Sequence, residues 1–506
     1  MDLADLIIAI NPSSLQRNGF ACGGNLCTDS RRVQPGDIVV AVKGSQVDGH
    51  DYVDQAVRAG ATIIVTEKAV LLPGSIRNVI ADRTPRALGE LAQAQHNWPA
   101  SQLINLGVTG TNGKTTVAYL TRAMFQAAGI SCGLLGTIAY DLNGLSLPAG
   151  NTTPDQLQLA DLYHQMRQDK TRAVVMECSS HGLDQDRTAG IEFAAAAFTN
   201  LTGDHLDYHG NSENYLNAKA KLFTSLSEES VAVLNAHDIA SHSLETAANS
   251  RVWRYGLDSM SDIHARVLDT GMAGSAWQLS LHGDCAEIQS PLLGEYNILN
   301  CLAAAGLACA ANVSIEDIAS GLNTFQGVPG RLQRVDGGQN FTVLVDYAHT
   351  DDALENVLLS LRTLQPTKII LLFGCGGQRD QSKRPRMAKI AQQYADQIVL
   401  TSDNPRGESP QNILDEIKAG FTALGDNIIE QVDRRRAIET AISLAEEGDV
   451  VLIAGKGHED YQEIEGDRYR LDDRQVALEI LGSVESFPSA DAGHKDLSPR
   501  KVKVSS

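Results

Sequence analysis

Lys114 lies in the run Gly110-Thr111-Asn112-Gly113-Lys114-Thr115-Thr116, where its neighbours suit a polyphosphate. Its ammonium can reach the β- and γ-phosphates of a nucleotide, and the hydroxyl of Thr115 or Thr116 can face Mg²⁺. Gly110, Thr111, Asn112 and Gly113 would turn backbone N–H groups toward the anion, and a helix starting at Lys114 would add its positive end. The general P-loop rule asks for a glycine where Val108 stands, so this is a shorter and narrower form of the motif. The plain alternative is a Gly/Thr turn with a surface lysine. Two further groups suit the same chemistry. Glu177 follows the apolar run 172–176, and His205 lies in the polar stretch after the apolar run 194–198. A carboxylate and an imidazole can complete a Mg²⁺ shell whose other ligands are phosphate oxygens. Taken singly, Glu177 reads as a helix cap and His205 as a packed core histidine; a shared sheet edge with Lys114 shifts that balance.

The elements that must hold these residues follow from hydrophobic period. Residues 103–108 read as a buried parallel strand, and the apolar-periodic segment through Ala128 reads as a helix. In a parallel sheet, ligands collect at strand C-termini, which puts Glu177 and His205 on the edge that carries Lys114. Residues 214–223 read as a helix with Tyr215, Ala218 and Leu222 on one apolar face and Lys219 beside it, half buried. The usual fate of such a lysine is to snorkel. Before the phosphate loop, strands at 38–42 and 61–65 with a helix near 52–59 make a small α/β unit. Its polar loops, Thr28 to Arg32 and Lys43 to His50, each read alone as capped turns. The segment 230–290 is strand-rich, and an Ala-rich helix runs from Gly294 to Ala311. From about 334, strands at 343–345, 369–373, 397–401 and 450–454 each end in a polar loop, which implies a second doubly wound sheet.

At 506 residues, and ~150 per domain, the chain should hold about three domains. We place them at 1–97, 98–333 and 334–487, with 488–506 a Ser/Lys/Asp-rich tail expected to be disordered. A hydrophobic fraction of 43% suits a globular fold, and a net charge of −20 argues against nucleic acid and against an anionic membrane surface. Eight scattered cysteines without C-x-x-C, Cys22 and Cys27 being the nearest pair, read as reduced thiols of a cytoplasmic protein without a zinc site. No apolar run reaches the ~18 residues of a membrane span, and the first residues lack a basic leader.

Seven stretches, in order, resemble the Mur ligases of peptidoglycan synthesis: residues 110–116, Asn151-Thr152-Thr153-Pro154, 176–181, 204–209, 218–223, 346–350 and Asp403-Asn404-Pro405-Arg406. The resemblance spans about Asp29 to Glu459. It implies an α/β architecture of three domains: a small uridine-nucleotide domain, a central P-loop-type ATPase domain with a mostly parallel sheet, and a C-terminal Rossmann-like domain. It implies that Ser30 lies near the uridine diphosphate, and that Thr152, Thr153, Ser179, Gln185 and Arg187 hold the muramoyl part of the substrate. By the same likeness Lys114 and Thr115 serve ATP, Asn297, Arg331, Asp346 and His349 contact ATP, and Arg379, Asp403, Asn404, Arg406, Gly455 and Glu459 form the amino-acid pocket. Lys114, Lys219, His205 and Glu177 would be the catalytic set, with Thr115, Glu177, His205 and a CO₂-derived carbamate on Lys219 around Mg²⁺. The implied partners are ATP, UDP-N-acetylmuramoyl-L-alanyl-D-glutamate and meso-diaminopimelate, used by a cytoplasmic monomer.

The Asp-Asn-Pro-Arg form resembles the diaminopimelate-adding branch, since a guanidinium can grip the carboxylate that lysine lacks. Taken alone, Arg406 is a surface arginine after a turn. Addition of L-lysine, or a folylpolyglutamate-synthase-like ligase, are the rival enzymes; a silent nucleotide-binding scaffold would be expected to lack Lys114, Glu177, His205 or Lys219. Four positions depart from the family pattern: Asp351 where proline is usual, Gln378, Tyr296 and Gly203.

Overall fold

A computed structural model of the chain describes residues 24–44 and 47–484. Met1 to Gly23, with Cys22, fall outside the described residues, as do Ser45 and Gln46 of the 43–50 loop and the expected disordered tail. The chain divides into two compact units, one of residues up to 266 with 279–286 and 299–323, the other of 267–278, 287–298 and 324 onward.

In the first unit, four strands, Leu26–Cys27, Ile38–Val40, Ile63–Thr66 and Arg77–Ile80, form one parallel sheet in that order. The helix expected near 52–59 begins as a 3₁₀ turn, Gly49–Tyr52, before the α-helix Val53–Arg58. Asp48 caps the turn by accepting from the His50 N–H, which tightens the entry. A second sheet is built around Ile104–Thr109. Parallel partners flank it on both sides: Ala195–Phe198, Val231–Asn235 and Arg251–Gly256 on one, Ala173–Glu177 and Cys132–Leu135 on the other. Ala139–Asp141 and Ser146–Pro148 then close that side antiparallel. The central strands are buried on both faces, and their continuous apolar runs reflect it. Val108 pairs with Glu177 and Thr109 with Phe198, so three adjacent strands end at one edge. The helix Lys114–Ala127 packs against Ile315–Asn323, where Gly321 lets the backbones meet; a Cβ there would come within 2.6 Å of Met124 Cα.

The second unit holds a six-stranded sheet in the order Gln333–Val335, Thr342–Asp346, Val450–Ala454, Ile369–Phe373, Gln397–Leu400 and Ile428–Glu430, antiparallel only at the first pair. Alternate residues feed two cores. Leu344, Leu371, Ile398 and Leu452 pack with helices Asp351–Thr363 and Lys383–Tyr394. Val343, Ile370, Val399 and Ile453 pack with Arg434–Ser443 and Asp473–Val484. Helices on both faces of a parallel sheet make the doubly wound pattern. The missing proline at 351 costs no cap: Thr350 accepts from the Ala353 N–H.

Candidate functional site

The phosphate loop is fixed by its neighbours before any ligand arrives. Gly110 (φ +148°) and Gly113 (φ +86°) adopt backbone angles that favour glycine, and a Cβ on Gly110 would fall 1.8 Å from Thr199 Oγ1. Thr111 N–H donates to Asn200 O at 2.8 Å and Asn112 N–H to Asn200 Oδ1 at 2.9 Å, so the loop leans on the end of the next strand. Gly113 is the N-cap and supplies no side chain to the first turn of Lys114–Ala127. Lys114 Nζ donates to its own loop, to Gly110 O at 2.9 Å and Thr111 O at 2.8 Å. An ammonium seated at the helix start, beside the loop N–H groups, is a ready anion site.

Glu177 is the hub beneath that loop. Its side chain is fully buried and its carboxylate accepts three hydrogen bonds: Thr115 Oγ1 donates to Oε2 at 2.9 Å, Thr137 Oγ1 to Oε2 at 3.0 Å, and Thr137 N–H to Oε1 at 2.9 Å. It is therefore no helix cap. Gly136 leaves room for it; a Cβ there would lie 2.2 Å from Oε1. Thr137 Oγ1 also meets Thr152 Oγ1 at 3.1 Å. Thr153 Oγ1 donates to Glu177 O at 2.8 Å and lies 3.1 Å from Ser179 Oγ, and Arg187 Nη1 donates to Thr153 O at 2.7 Å. Arg187 also holds Gln185 Oε1 at 2.8 Å. Thr152, Thr153, Ser179, Gln185 and Arg187 are thus one connected network running off Glu177. Ser30 stands apart, half-buried in the turn after the strand Leu26–Cys27, with Oγ donating to Gln55 Oε1 at 3.0 Å.

Lys219 differs from its half-buried expectation. It is 1% exposed on helix Ser212–Thr224, and Nζ donates to Gly110 O at 2.7 Å beneath the phosphate loop. The Tyr215 ring lies 4.3 Å from its Nζ. Burial, then the Lys114 charge, pushes the Lys219 amine well below its usual range, against a smaller opposing pull from Asp204. His205 is exposed rather than a core histidine. Its backbone is left-handed (φ +54°), its ring is 4.8 Å from His181 and 6.3 Å from Tyr215, and Nε2 is 3.5 Å from Asp204 Oδ2.

In the second unit Asp346, His349, Arg379, Asp403, Asn404, Arg406, Gly455 and Glu459 lie at or just past the C-terminal ends of its parallel strands, whereas Asn297 stands on the helix Glu295–Ala310 and Arg331 just before the strand Gln333–Val335. Asp346, buried, accepts from Leu332 N–H at 2.6 Å and Ala348 N–H at 2.8 Å, and its own carbonyl accepts from Gly455 N–H at 3.1 Å. Arg331 lies over the Tyr347 ring at 4.8 Å, and Tyr347 O meets His349 Nδ1 at 2.9 Å. Asn297 is buried, with Nδ2 donating to Leu293 O. Asn404 Nδ2 donates to Glu459 Oε2 at 2.8 Å, and Gly455 lets Asp403 approach, since a Cβ there would lie 2.8 Å from Oδ2. Burial alone would raise the Asp403 carboxyl, but Lys456 and Arg434 hold it below its usual range. Arg406 (φ +52°) donates from Nη1 to Gly377 O at 2.9 Å. Arg379 is exposed.

Three family profiles match this chain in succession: "Mur ligase family, catalytic domain" over 24–97, "Mur ligase middle domain" over 108–308, and "Mur ligase, glutamate ligase domain" over 330–457. The chain belongs to the Mur ligase family. Two curated relatives named UDP-N-acetylmuramoyl-L-alanyl-D-glutamate--2,6-diaminopimelate ligase are similar at full length. That of Geobacillus thermodenitrificans is 44% identical, covering 90% of this chain and 95% of its own. That of Parabacteroides distasonis is 40% identical, covering 96% and 100%. A solved structure of a ligase with that name superposes with a TM-score of 0.69 at 32% identity, covering 95% of this chain and 99% of its own. A folylpolyglutamate synthase structure from Mycobacterium tuberculosis, 20% identical with a TM-score of 0.61, shares the fold.

Within this Mur ligase, the donors suit Mg²⁺ in one respect. Thr115 and Glu177 put a hydroxyl and a carboxylate side by side, hard oxygens of the kind Mg²⁺ takes with substrate phosphates. Among the described residues no group of three or more His, Cys, Asp or Glu is arranged to hold a metal. Three residues of the ligase were not singled out from sequence. Thr137 pairs with Glu177 across 40 positions. Lys456, fully buried, donates from Nζ to Asn404 Oδ1 at 3.0 Å and Glu459 Oε2 at 3.1 Å. Glu463 meets Arg406. Lys456 lay within a loop already read as polar; nothing marked the other two.

Proposed function

We propose that this chain is the ATP-dependent ligase that joins meso-diaminopimelate to the D-glutamate γ-carboxylate of UDP-N-acetylmuramoyl-L-alanyl-D-glutamate, acting as a cytoplasmic monomer. No helix among the described residues is long and apolar enough to cross a membrane. The γ-carboxylate attacks the γ-phosphate of ATP, ADP leaves, and an acyl phosphate forms. The amine of diaminopimelate attacks that carbonyl, inorganic phosphate leaves with the bonding pair, and the nitrogen gives up a proton. Two anions must meet in the first step, so positioning and charge neutralisation supply most of the catalysis.

Lys114 and the N–H groups of residues 110–113 receive the phosphates. Thr115, Glu177, His205 and the carbamate of Lys219 would hold Mg²⁺, which would offset phosphate charge. Thr152, Thr153, Ser179, Gln185 and Arg187 orient the muramoyl dipeptide, and Ser30 faces its uridine diphosphate. Asn297, Arg331, Asp346 and His349 serve the nucleotide; Arg379, Asp403, Asn404, Arg406, Gly455 and Glu459 take the amino acid. A protonated Lys219 would repel a cation. Its depressed basicity favours the free amine, which can add CO₂ and release a proton, leaving a carbamate of two hard oxygens. Lys219→Ala should abolish activity, and added small carboxylates should restore part of it; full activity in that variant removes Lys219 from the mechanism.

The observation that carries the choice of amino acid is Arg406, whose guanidinium is anchored at Gly377 O in the Asp403–Arg406 loop beside buried Asn404. The test is ADP release with UDP-muramoyl-dipeptide and either meso-diaminopimelate or L-lysine. Turnover with the first and little with the second is expected. Equal or better use of L-lysine overturns the choice, and ADP release that ignores the dipeptide overturns the ligase reading.

A further inference from the structure

Helix Gln156–Gln168 of the first unit belongs to two cores at once. Leu159, Leu162, Tyr163 and Met166 pack with Val174 and Met176 of the second sheet, while Leu157 and Ala160 pack with Leu88 and Leu91 of helix Thr84–Gln95 in the core of the first. Its first residue, Gln156, is polar and buried. Nε2 donates to Pro85 O at 3.2 Å, Gln185 O at 3.0 Å and Asp186 O at 3.4 Å, so one amide joins the start of helix Thr84–Gln95 to the turn that carries Gln185 and Arg187. Arg83 reaches the same turn: Nε donates to Asp186 Oδ2 at 2.8 Å, and Nη2 lies 2.6 Å from that oxygen. Beside them the backbones touch. A Cβ on Gly89 would fall 2.5 Å from Ala189 O, and one on Gly190 (φ +80°) would fall 3.1 Å from Gly89 O.

A hinge between the two sheets would leave the buried Gln156 amide unsatisfied, at ~1–3 kcal/mol, and would part Arg83 from Asp186. The first sheet and the network from Thr152 to Arg187 are thus held as one body. The proposed substrate lies across both, with its uridine diphosphate at Ser30 and its dipeptide on that network. Binding energy from a remote group speeds a reaction only when it is realised at the reacting end, and a misplacement of about 1 Å there can cost ~10²-fold. Resting on the ligase reading above, we infer that Gln156 is a positioning residue: with the Arg83–Asp186 pair it fixes the span between the two ends, so that the grip on the diphosphate sets the γ-carboxylate in place. Gln156 meets no reacting atom. It acts through the carbonyls of Gln185 and Asp186, and Arg187 passes the constraint on by its 2.7 Å bond to Thr153 O.

The test separates binding from turnover. With the full-length protein, Kd for UDP-N-acetylmuramoyl-L-alanyl-D-glutamate is measured by calorimetry without ATP, and kcat by ADP release with meso-diaminopimelate. The native chain is compared with Gln156→Met, which keeps the length of the side chain and drops its donors. ADP release is repeated with N-acetylmuramoyl-L-alanyl-D-glutamate, which has no nucleotide to grip. In the variant, kcat with the full substrate should fall about tenfold while Kd stays within about twofold and KM for ATP is unchanged. The truncated substrate should be used equally by both chains. Should Gln156→Met not fold, Arg83→Gln, altered at a side chain more than half exposed, should lower the same kcat about threefold at the same Kd. An equal fall with both substrates, a loss confined to Kd, or no change at all overturns the inference. A native chain that releases no ADP with the full substrate sinks the ligase reading, and the inference with it.

Discussion

Lys456→Met tests whether the second unit's cluster is an amino-acid pocket or merely a packed loop. Lys456 is fully buried and joins two residues from distant parts of the chain, Asn404 and Glu459, with its Nζ 5.3 Å from the Tyr461 ring centroid. Methionine nearly fills the stem's volume and leaves the charge out. Breaking a buried pair by deleting one partner costs ~3–5 kcal/mol. The lower end applies here, because the Glu459 side chain is 20% exposed and keeps its bond from Asn404 Nδ2 at 2.8 Å. A loss of about 3 kcal/mol, if borne wholly by the bound complex, is a factor of roughly 10² in affinity; borne by the fold, it lowers the unfolding midpoint by about 6–12 °C for a domain of this size. Lys456 also helps hold Asp403 ionised, so its removal makes that carboxyl more basic. The assay is steady-state ADP release, with amino acid and ATP varied separately, alongside thermal unfolding. The expected split is a KM for diaminopimelate raised tenfold or more with KM for ATP near native, and Lys456→Arg recovering part of it. A folded variant with an unchanged KM for the amino acid, or equal increases in both KM values, would refute the pocket.

Arg406→Ala should cut kcat/KM for diaminopimelate by about 2–5 kcal/mol, the usual loss on truncating one partner of a buried charge pair; isothermal titration of a non-hydrolysable ATP analogue should be unaffected, and comparable losses in both measurements would count against the assignment. Gly113→Ala forces a side chain into φ +86° and within 2.4 Å of Asn300 Oδ1, so nucleotide affinity should fall with a stability cost of at least about 1 kcal/mol; native-like nucleotide binding would show that the loop geometry is not needed. Burial, with Arg331, Arg474 and Lys456 adding to it, pushes the His458 imidazole down to about 4. The folded chain then holds His458 neutral while the unfolded chain protonates it, so its cost to stability begins as pH falls below about 6.5 and is complete below about 4. His458→Gln should flatten the acid limb of the stability curve in that window, and an identical slope in the variant would show that other groups set it.

What the chain's own order reveals, and what it hides, follows from where each interaction is made. A strand covered on both faces must be apolar throughout, so Ile104–Thr109, Ala173–Glu177, Ile369–Phe373 and Val450–Ala454 stand out, and the polar residues just past them must lie at a sheet edge. That logic reaches Lys114, Glu177, Asp346 and Gly455 from the order of residues alone. It fails where a strand is half exposed or charged. Arg77–Ile80 and the hairpin Tyr461–Ile464 with Asp467–Arg470 have no apolar run to announce them, so Glu463 stays hidden although it touches Arg406. It fails again for burial of a cation. Lys219 lies beside an apolar helical face, where a long side chain would normally turn its head to water. Only the fold places Gly110 O 2.7 Å from its amine and closes the way out. A lysine buried so deeply, with another ammonium nearby, costs stability in its charged form, which makes Lys219, more than the glycine-rich loop that first draws notice, the residue at which the proposed mechanism should be probed.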